Sequence, residues 1–527
     1  MKKYIAAAVL LSIAGLGFRL FIALHLPNDE PDDGRLYARI ALNVLEHRSY
    51  SIETEEPYPP TFIRVPGYPL FLAGVYAVFG HDNNRAVRVV QAVLDTITCW
   101  LIALLALAWA PAAWDRQKRR RLLLIALGLA VSCPFLAIYV ATILTETCTT
   151  LLATACALSA TRAMSTNDRR KSAGWMAAAG LSGGLATLCR PDAGLFVAAV
   201  GSSVALIGLY RATVRQTPGE DAVRDVLRGS PRQILGRTVL CGAMLAMGFG
   251  AALAPWTIRN ARIFGVFQPI APVQASMPGE FVANGYIGWL RTWVSDVKYT
   301  ESFEWPLDRD QIHIEQVPDY AFDSPSERER VAKLLQQYNN PSPATSEQAA
   351  PTASAEPKPA VEMTLAVDSG FAELAREHIA RNPIRYYLVV PLKRAASLWF
   401  DTHSQYYPFQ GELFPLSALD TDLHQQYWLP FFSFLTALYT ALGVAGAWLM
   451  WRDGQSRRWV LLLGLLIIPR LAFLASIANP EPRYVVEFFA LVLAACSISM
   501  MIACDFLDSR IARLALPILR HNRDTIR

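Results

Sequence analysis

The sequence predicts an all-α polytopic membrane protein with about ten transmembrane helices, outer-leaflet amphipathic helices and a mixed, partly disordered extracytoplasmic loop. Three observations predict it. Of 527 residues, 53% are hydrophobic and only 18% charged, whereas a soluble domain carries about 25% charged residues. Apolar runs of 18 or more residues recur, each able to cross a hydrocarbon core of about 30 Å. Basic residues concentrate in alternate connecting loops, as the positive-inside rule requires.

The first run, 4–24, follows Lys2 and Lys3 and resembles a signal peptide. Its apolar stretch exceeds the usual length of about 7–15 residues, and no small-x-small cleavage site closes it. It reads as a retained first span with both lysines in the cytoplasm. Further spans fall near 88–111, 121–139, 143–161, 173–190, 193–210, 238–255, 429–450, 458–477 and 484–504. The loops this places in the cytoplasm, 115–121, 167–172, 211–237, 451–458 and the tail 505–527, are all basic. Those placed outside are 25–87, 140–142, 191–192, 256–428 and 478–483, the first being rich in Asp and Glu. The chain thus divides into an N-terminal membrane module, 1–255, an extracytoplasmic region, 256–428, and C-terminal helices with a basic tail, 429–527.

Two outer segments, 66–80 and 383–400, are apolar yet too short or interrupted to span. Both read as helices on the outer leaflet with aromatics at the headgroup level. Lys393 and Arg394 argue against an eleventh span kinked at Pro391. Residues 36–46, with Leu36, Ile40, Val44 and Leu45 on one face, form a third such helix. The Pro/Ala/Ser-rich stretch 339–362 holds too few large apolar residues to order itself and reads as a flexible insert.

All eight cysteines lie in apolar segments or at their ends, with no CxxC and no ligand spacing. They read as small packing residues, not disulfides or zinc ligands. The net charge of +5 is small, and no basic patch interleaved with aromatics points to nucleic acid.

Charge inside a span costs roughly 2.5–3.5 kcal/mol and asks for a partner or a purpose. Arg88, Gln91 and Asp95 recur at helical spacing near the outer end of the second span, either as helix-end packing or as a cavity lining. Asp32 and Asp33 are adjacent in the first outer loop. Like charges this close raise one carboxyl pKa, which suits a general base. Arg64, Glu146, Arg190, Asp192, Arg259, Glu481, Arg483 and Tyr484 lie at the outer ends of other spans or on outer loops. An arginine there commonly anchors at the headgroups. Gathered on one face with the acids, these arginines form a site for a phosphate-bearing substrate, since guanidinium matches phosphate geometry.

The ordered series DGRLY, RVPGYPLFLAGVYAVFG, RVVQAVLDTITCWL, LTETCTTLL, LCRPDAGLF, PWTIRN and EPRYVVEF resembles the C-superfamily of membrane glycosyltransferases. The branch is that of bacterial enzymes similar to protein O-mannosyltransferases and lipid A aminoarabinose transferases, a glycosyltransferase family 39-like group. The resemblance covers spans one to seven and the last span, and leaves out 300–370. It implies transfer of a sugar from a polyprenyl-phosphate donor to a lipid A, glycan or protein acceptor, at the outer face of a bacterial inner membrane. It implies that Asp33, four residues before Tyr37, is the general base or an acceptor-positioning acid, with Asp32 beside it and Glu146 as a second acid. Arg64 and Arg483 map onto donor-phosphate ligands, with Arg259 and Arg190 as further candidates. Tyr37, Tyr68, Glu481 and Tyr484 would line the pocket. Gly34 stands where an acid often follows the first Asp, so the base is one of Asp29, Glu30, Asp32 and Asp33; Val65 stands where Pro is usual. No metal site is read, although paired carboxylates are able to hold a divalent ion.

The residues support a lipid-linked donor independently: there is no Gly-rich phosphate loop and no cytoplasmic Asp-x-Asp, and nucleotide sugars are not available outside the membrane. A carboxylate opposite the leaving phosphate predicts inversion. The competing readings are a flippase for lipid-linked saccharides, which would favour midplane charges and repeated halves, and a non-catalytic assembly protein with a partner-binding outer loop.

Overall fold

The computed structural model describes residues 2–27, 32–213, 230–272, 274–341, 361–400 and 423–524, with the backbone alone for 423–426 and 509–524. Asp29, Glu30, most of the 339–362 insert, most of the 211–237 loop and the side chains of the tail beyond 508 lie outside the described residues. Every regular element among the described residues is helical. In chain order they are α1 (Lys2–His25), α2 (Asp32–Glu46), α3 (Gly67–Phe79), α4 (Asn84–Trp109), α5 (Arg116–Ser132), α6 (Pro134–Ala137), α7 (Glu146–Ser165), α8 (Arg169–Cys189) and α9 (Gly194–Thr213). Then follow α10 (Pro231–Phe264), α11 (Asn284–Leu290), α12 (Val297–Phe303), α13 (Pro325–Asn339), α14 (Leu365–Arg381), α15 (Val390–Phe400), α16 (Leu423–Arg452), α17 (Arg457–Ser476) and α18 (Val486–Asp524).

The chain is a multi-pass membrane protein. Each of the ten expected spans coincides with a helix, but only seven are long and apolar enough to cross a membrane, and α5 with α6 is an eighth in two pieces. The other two, α7 and α8, have 20 and 21 residues. That is long enough at 1.5 Å per residue, but Thr, Ser and Gly replace much of their apolar content. Local chemistry sets the starts: Asn83 caps α4, Asp115 caps α5, Asp168 caps α8, and Ser230 with Gln233 forms a capping box before α10.

Without a hydrophobic force between helices in lipid, close backbone approach drives their packing. A Cβ at Gly180 of α8 would sit 2.1 Å from the Leu245 carbonyl oxygen of α10, and one at Gly248 of α10 would sit 2.2 Å from that of Ala177. Helix α18 runs through the middle: nearly every residue from Val485 to Ser499 is buried, against α4, α5, α7 and α16.

The third span differs from the continuous helix expected over 121–139. It breaks at Cys133, and its two parts bend by 52°. Pro134 has no N–H to continue the ladder. The carbonyls freed at the end of α5 are bonded by Arg19 of α1, which donates to Ala130 O (3.2 Å) and Val131 O (3.0 Å) while its Nε pairs with Asp95 at 2.5 Å. One turn further along α4, Gln91 Nε2 donates to Val140 O (3.1 Å) and Thr142 O (2.9 Å), and Arg88 Nε to Ala141 O (3.1 Å). The polar stripe of α4 is therefore neither general end polarity nor a cavity lining. It ties down the backbone of a broken span, and through it the start of α7.

A second core lies beyond the spans. Tyr286, Trp289, Phe303 and Phe371 from α11, α12 and α14 pack together with Trp293 from the turn between α11 and α12, all buried. This outer unit is joined to the end of α17 by Thr300 Oγ1 donating to Ala478 O (2.9 Å) and by Arg394 of α15. Arg394, one of the two charges that argued against a span over 383–400, faces the protein. It is buried, and it bonds Val294 O (2.6 Å), Arg291 O (2.7 Å) and Ala475 O (3.3 Å). Burial pushes its guanidinium down to about 10. The eight cysteines carry free thiols, seven of them buried.

Candidate active site

At one end of the bundle, charged residues from six parts of the chain form a continuous buried network. Asp33 lies in the first turn of α2, its carboxylate 3.2 Å from Arg64 Nη2 and 3.1 Å from Arg483 Nη2. Arg483 Nε lies 2.6 Å from Glu481 and 3.9 Å from Glu146. Glu146, the first residue of α7, pairs with Arg190 at 3.0 Å. Arg190 reaches Asp192 at 3.2 Å, and Arg470 of α17 joins Asp192 (2.6 Å) to Glu487 of α18 (3.1 Å). Ionised throughout, four arginines face five acids, one negative charge in excess.

Each side chain is delivered by local geometry. The turn Pro66-Gly67-Tyr68-Pro69 presses on the end of α8: a Cβ at Gly67 would lie 2.6 Å from the Leu188 carbonyl oxygen. Only a glycine permits that approach, and it brings Arg64 toward the Arg190 turn. Tyr50 OH donates to Arg64 O (3.2 Å) and Val65 O (3.1 Å), which fixes the strand of chain before the turn. Arg190 and Arg483 flank the Tyr484 ring at 4.6 and 5.4 Å, and Asn479 donates to the Tyr484 hydroxyl at 3.0 Å.

The rim of the network is open where its interior is closed. Asp33 keeps 29% of its side chain exposed and Arg64 27%, against 1% for Glu146 and none for Arg470 and Glu487. Burial works against the Asp33 carboxylate, but Arg483 and then Arg64 outweigh it, so its pKa is lowered. Tyr37 stands one turn further along α2 and meets Tyr68 edge-on at 5.4 Å. Burial, then Asp33, push its phenol up, so it remains a proton donor. Tyr68 itself is fully buried and donates to Gln91 Oε1 at 2.8 Å. It stands behind the site and supports it.

Two candidates lie apart. Asp32 is 72% exposed and pairs with Arg35 (2.5 Å) and Arg309 (3.6 Å), not with the network. Arg259 donates to Thr61 O (2.7 Å) and stacks among Tyr50, Trp256 and Phe264, so it braces the first outer loop against α10. Arg470 and Glu487 are the members that sequence reasoning missed. Their signal was a lone charge within an apolar run, the same signal that singled out Asp95.

Among the described residues, one group has metal-ligand geometry: Asp323, Glu327 and His378, with donor atoms within 4.8 Å of one another. Arg381 and Arg385 already pair with Asp323 at 2.7 and 3.0 Å, and Thr292 lies 2.8 Å from His378 Nδ1. These partners make it an ion-pair junction between α13 and α14.

Residues 60–218 match the family model for dolichyl-phosphate-mannose-protein mannosyltransferase, which bears out the resemblance read in the sequence. The fold is similar to an Archaeoglobus fulgidus oligosaccharyltransferase tethered to an acceptor peptide, at 12% identity and a TM-score of 0.48 over 96% of this chain and 50% of that one. It is also similar to ArnT from Cupriavidus metallidurans bound to undecaprenyl phosphate, at 13% identity and a TM-score of 0.39 over 93% of this chain and 78% of that one. The chain therefore spans about half the length of the archaeal oligosaccharyltransferase. No curated protein matches it.

Proposed function

We propose that this chain, which carries the mannosyltransferase family match over residues 60–218 within an all-α membrane fold, is a glycosyltransferase that takes a sugar from a polyprenyl-phosphate donor. The observation that carries the reading is the clasp of Asp33 by Arg64 and Arg483 at the open edge of a buried charge network. A lipid phosphate entering there meets the half-exposed Arg64 first, with the more deeply buried Arg483 behind it. Fixed arginines stabilise the charge that develops on a leaving phosphate. As the phosphate draws Arg64 away, Asp33 loses one of the two partners that hold its pKa down and gains an anionic neighbour. Both changes raise its basicity toward that of a working base. Donor binding would thus ready the carboxylate that deprotonates the acceptor.

One displacement by the acceptor, with Asp33 acting on its proton and the phosphate leaving on the opposite side, inverts the anomeric centre. Glu146, Arg190, Asp192, Arg470 and Glu487 hold the clasp in place from below. The charge bias of the loops supports an extracytoplasmic site in a bacterial inner membrane. The acceptor is a lipid, glycan or protein hydroxyl or phosphate. Nothing among the described residues favours the flippase reading.

The test is release of polyprenyl phosphate and transfer of radiolabelled sugar by purified protein given a labelled polyprenyl-phosphate sugar and delipidated envelope acceptors. Wild type and Asp32→Asn should transfer, and Asp33→Asn should not. Transfer by Asp33→Asn at the wild-type rate would remove the base assignment, and no transfer by wild type from any polyprenyl-phosphate sugar would remove the function.

A further inference from the structure

At the opposite end of the bundle from the acid-rich network lies a cavity of about 240 Å³ between the ends of α7, α9, α10 and α17. This is more than ten times the ~10–15 Å³ that one water requires. Its walls carry Arg211, Arg237 and Arg458, with the polar side chains of Asn167, Gln233 and Thr238. A second cavity shares Gln233 and Arg237 and adds Arg169 and Arg232. Among the described residues, neither is lined by an Asp or Glu. Among the described residues, none of the five arginines forms an ion pair. Arg237 spends one nitrogen on the Thr166 carbonyl, Arg458 Nη1 lies 3.3 Å from Met164 O, and Arg458 Nε is buried without a hydrogen-bond partner.

The buried arginines Arg190, Arg470, Arg19 and Arg394 are matched by carboxylates or by several carbonyls, whereas Arg211, Arg237 and Arg458 are half-buried and Arg169 and Arg232 exposed, with no carboxylate partner among the described residues. Guanidiniums of like charge converging on one cavity repel, and an unpaired buried donor costs free energy. The arrangement is stabilised by an anion. We infer that this cavity binds the phosphate of an anionic lipid headgroup, a site separate from sugar transfer. The lipid source follows from what surrounds the mouth. Leu206, Leu209 and Tyr210 of α9 and Leu235 and Val239 of α10 are 47–67% exposed around the same helix ends. They offer acyl chains an apolar wall directly beside the arginines. Basic pockets between spans on the cytoplasmic side are where anionic headgroups bind, and the basic loops place this end there.

The experiment is native mass spectrometry and thermal unfolding of the full chain in detergent, titrated with phosphatidylglycerol, with phosphatidylcholine, and with inorganic phosphate. Expected is retention of phosphatidylglycerol, with stabilisation that phosphatidylcholine does not give. Arg237→Gln with Arg458→Gln should weaken phosphatidylglycerol binding roughly thirty-fold, at about 1 kcal/mol per charge. Arg211→Gln, which removes no hydrogen bond, should weaken it about five-fold and serves if the double variant folds poorly. Arg116→Gln, an exposed charge at the start of α5, should leave it unchanged. Stabilisation by inorganic phosphate but not by phosphatidylglycerol would keep the anion site and overturn the lipid source. Equal binding of both lipids, or phosphatidylglycerol binding unchanged in Arg211→Gln and the double variant, would overturn the site itself. Sugar transfer plays no part in this readout, so failure of the proposed activity leaves it intact.

Discussion

Asp33 and Asp32 are neighbours with opposite fates. Asp33 faces inward to Arg64 and Arg483, and Asp32 faces out to Arg35. Asp33→Asn is expected to lower the transfer rate by at least ~100-fold, the usual contribution of a positioned base, while Asp32→Asn stays near wild type. Because the Asp33 pKa is lowered in the folded chain, its contribution to stability is fully present above the unfolded carboxyl value of about 3.9. It is lost as pH falls through the lower folded value. Unfolding midpoints of wild type and Asp33→Asn should therefore differ by a constant amount above about pH 4 and converge as pH falls from there through the lower folded value. Sequence reading reached Asp33, Arg64, Glu146, Arg190 and Arg483 because each lies near the end of an apolar run, where charge stands out. It grouped Arg259 with them, since nothing local distinguishes an arginine that stacks on Tyr50, Trp256 and Phe264, apart from the network, from one that joins it. It passed over Arg470 and Glu487 because their partners are distant in sequence.

The broken third span is the element on which the site leans. Arg19 and Asp95 are both buried, and Arg19 also bonds the last carbonyls of α5. Removing one member leaves its partner charged and unsatisfied. Arg19→Leu or Asp95→Leu alone should each cost about 3–5 kcal/mol, and the double substitution less than the sum. Thermal or denaturant unfolding in detergent checks the cycle. The ten helices were legible because hydropathy and loop charge report burial in lipid directly. The break was less so. Pro134 sat within a run whose average hydropathy stayed high, and the arginine that makes the break tolerable belongs to another span.

At the scale of the whole molecule, one end of the bundle collects acids and arginines in near balance, and at the other a pocket carries Arg211, Arg237 and Arg458 with no acid among its described lining residues. Helix α7 runs between the two ends, with Glu146 at one and Met164 at the other, about 27 Å apart at 1.5 Å per residue. The outer unit lies beyond the acid-rich end, so the proposed orientation has a direct check. An impermeant maleimide should label Glu315→Cys in outer-membrane-permeabilised cells, and Gly454→Cys only after lysis. The native thiols are buried or half-buried and should add little background. Labelling of Gly454→Cys in intact inner membranes would reverse the topology, and with it the side on which the donor must arrive.

The charge network draws on both ends of the chain. Asp33, Arg64, Glu146, Arg190 and Asp192 emerge from the ribosome long before Arg470, Arg483 and Glu487. A nascent chain that has inserted only its first seven spans holds three acids against two arginines, with Glu146 deprived of Arg483 and Asp192 of Arg470. The pocket therefore closes last in biogenesis. A product truncated before α17 carries raw charge at its membrane surface, a mark by which quality-control proteases would tell it from the finished protein.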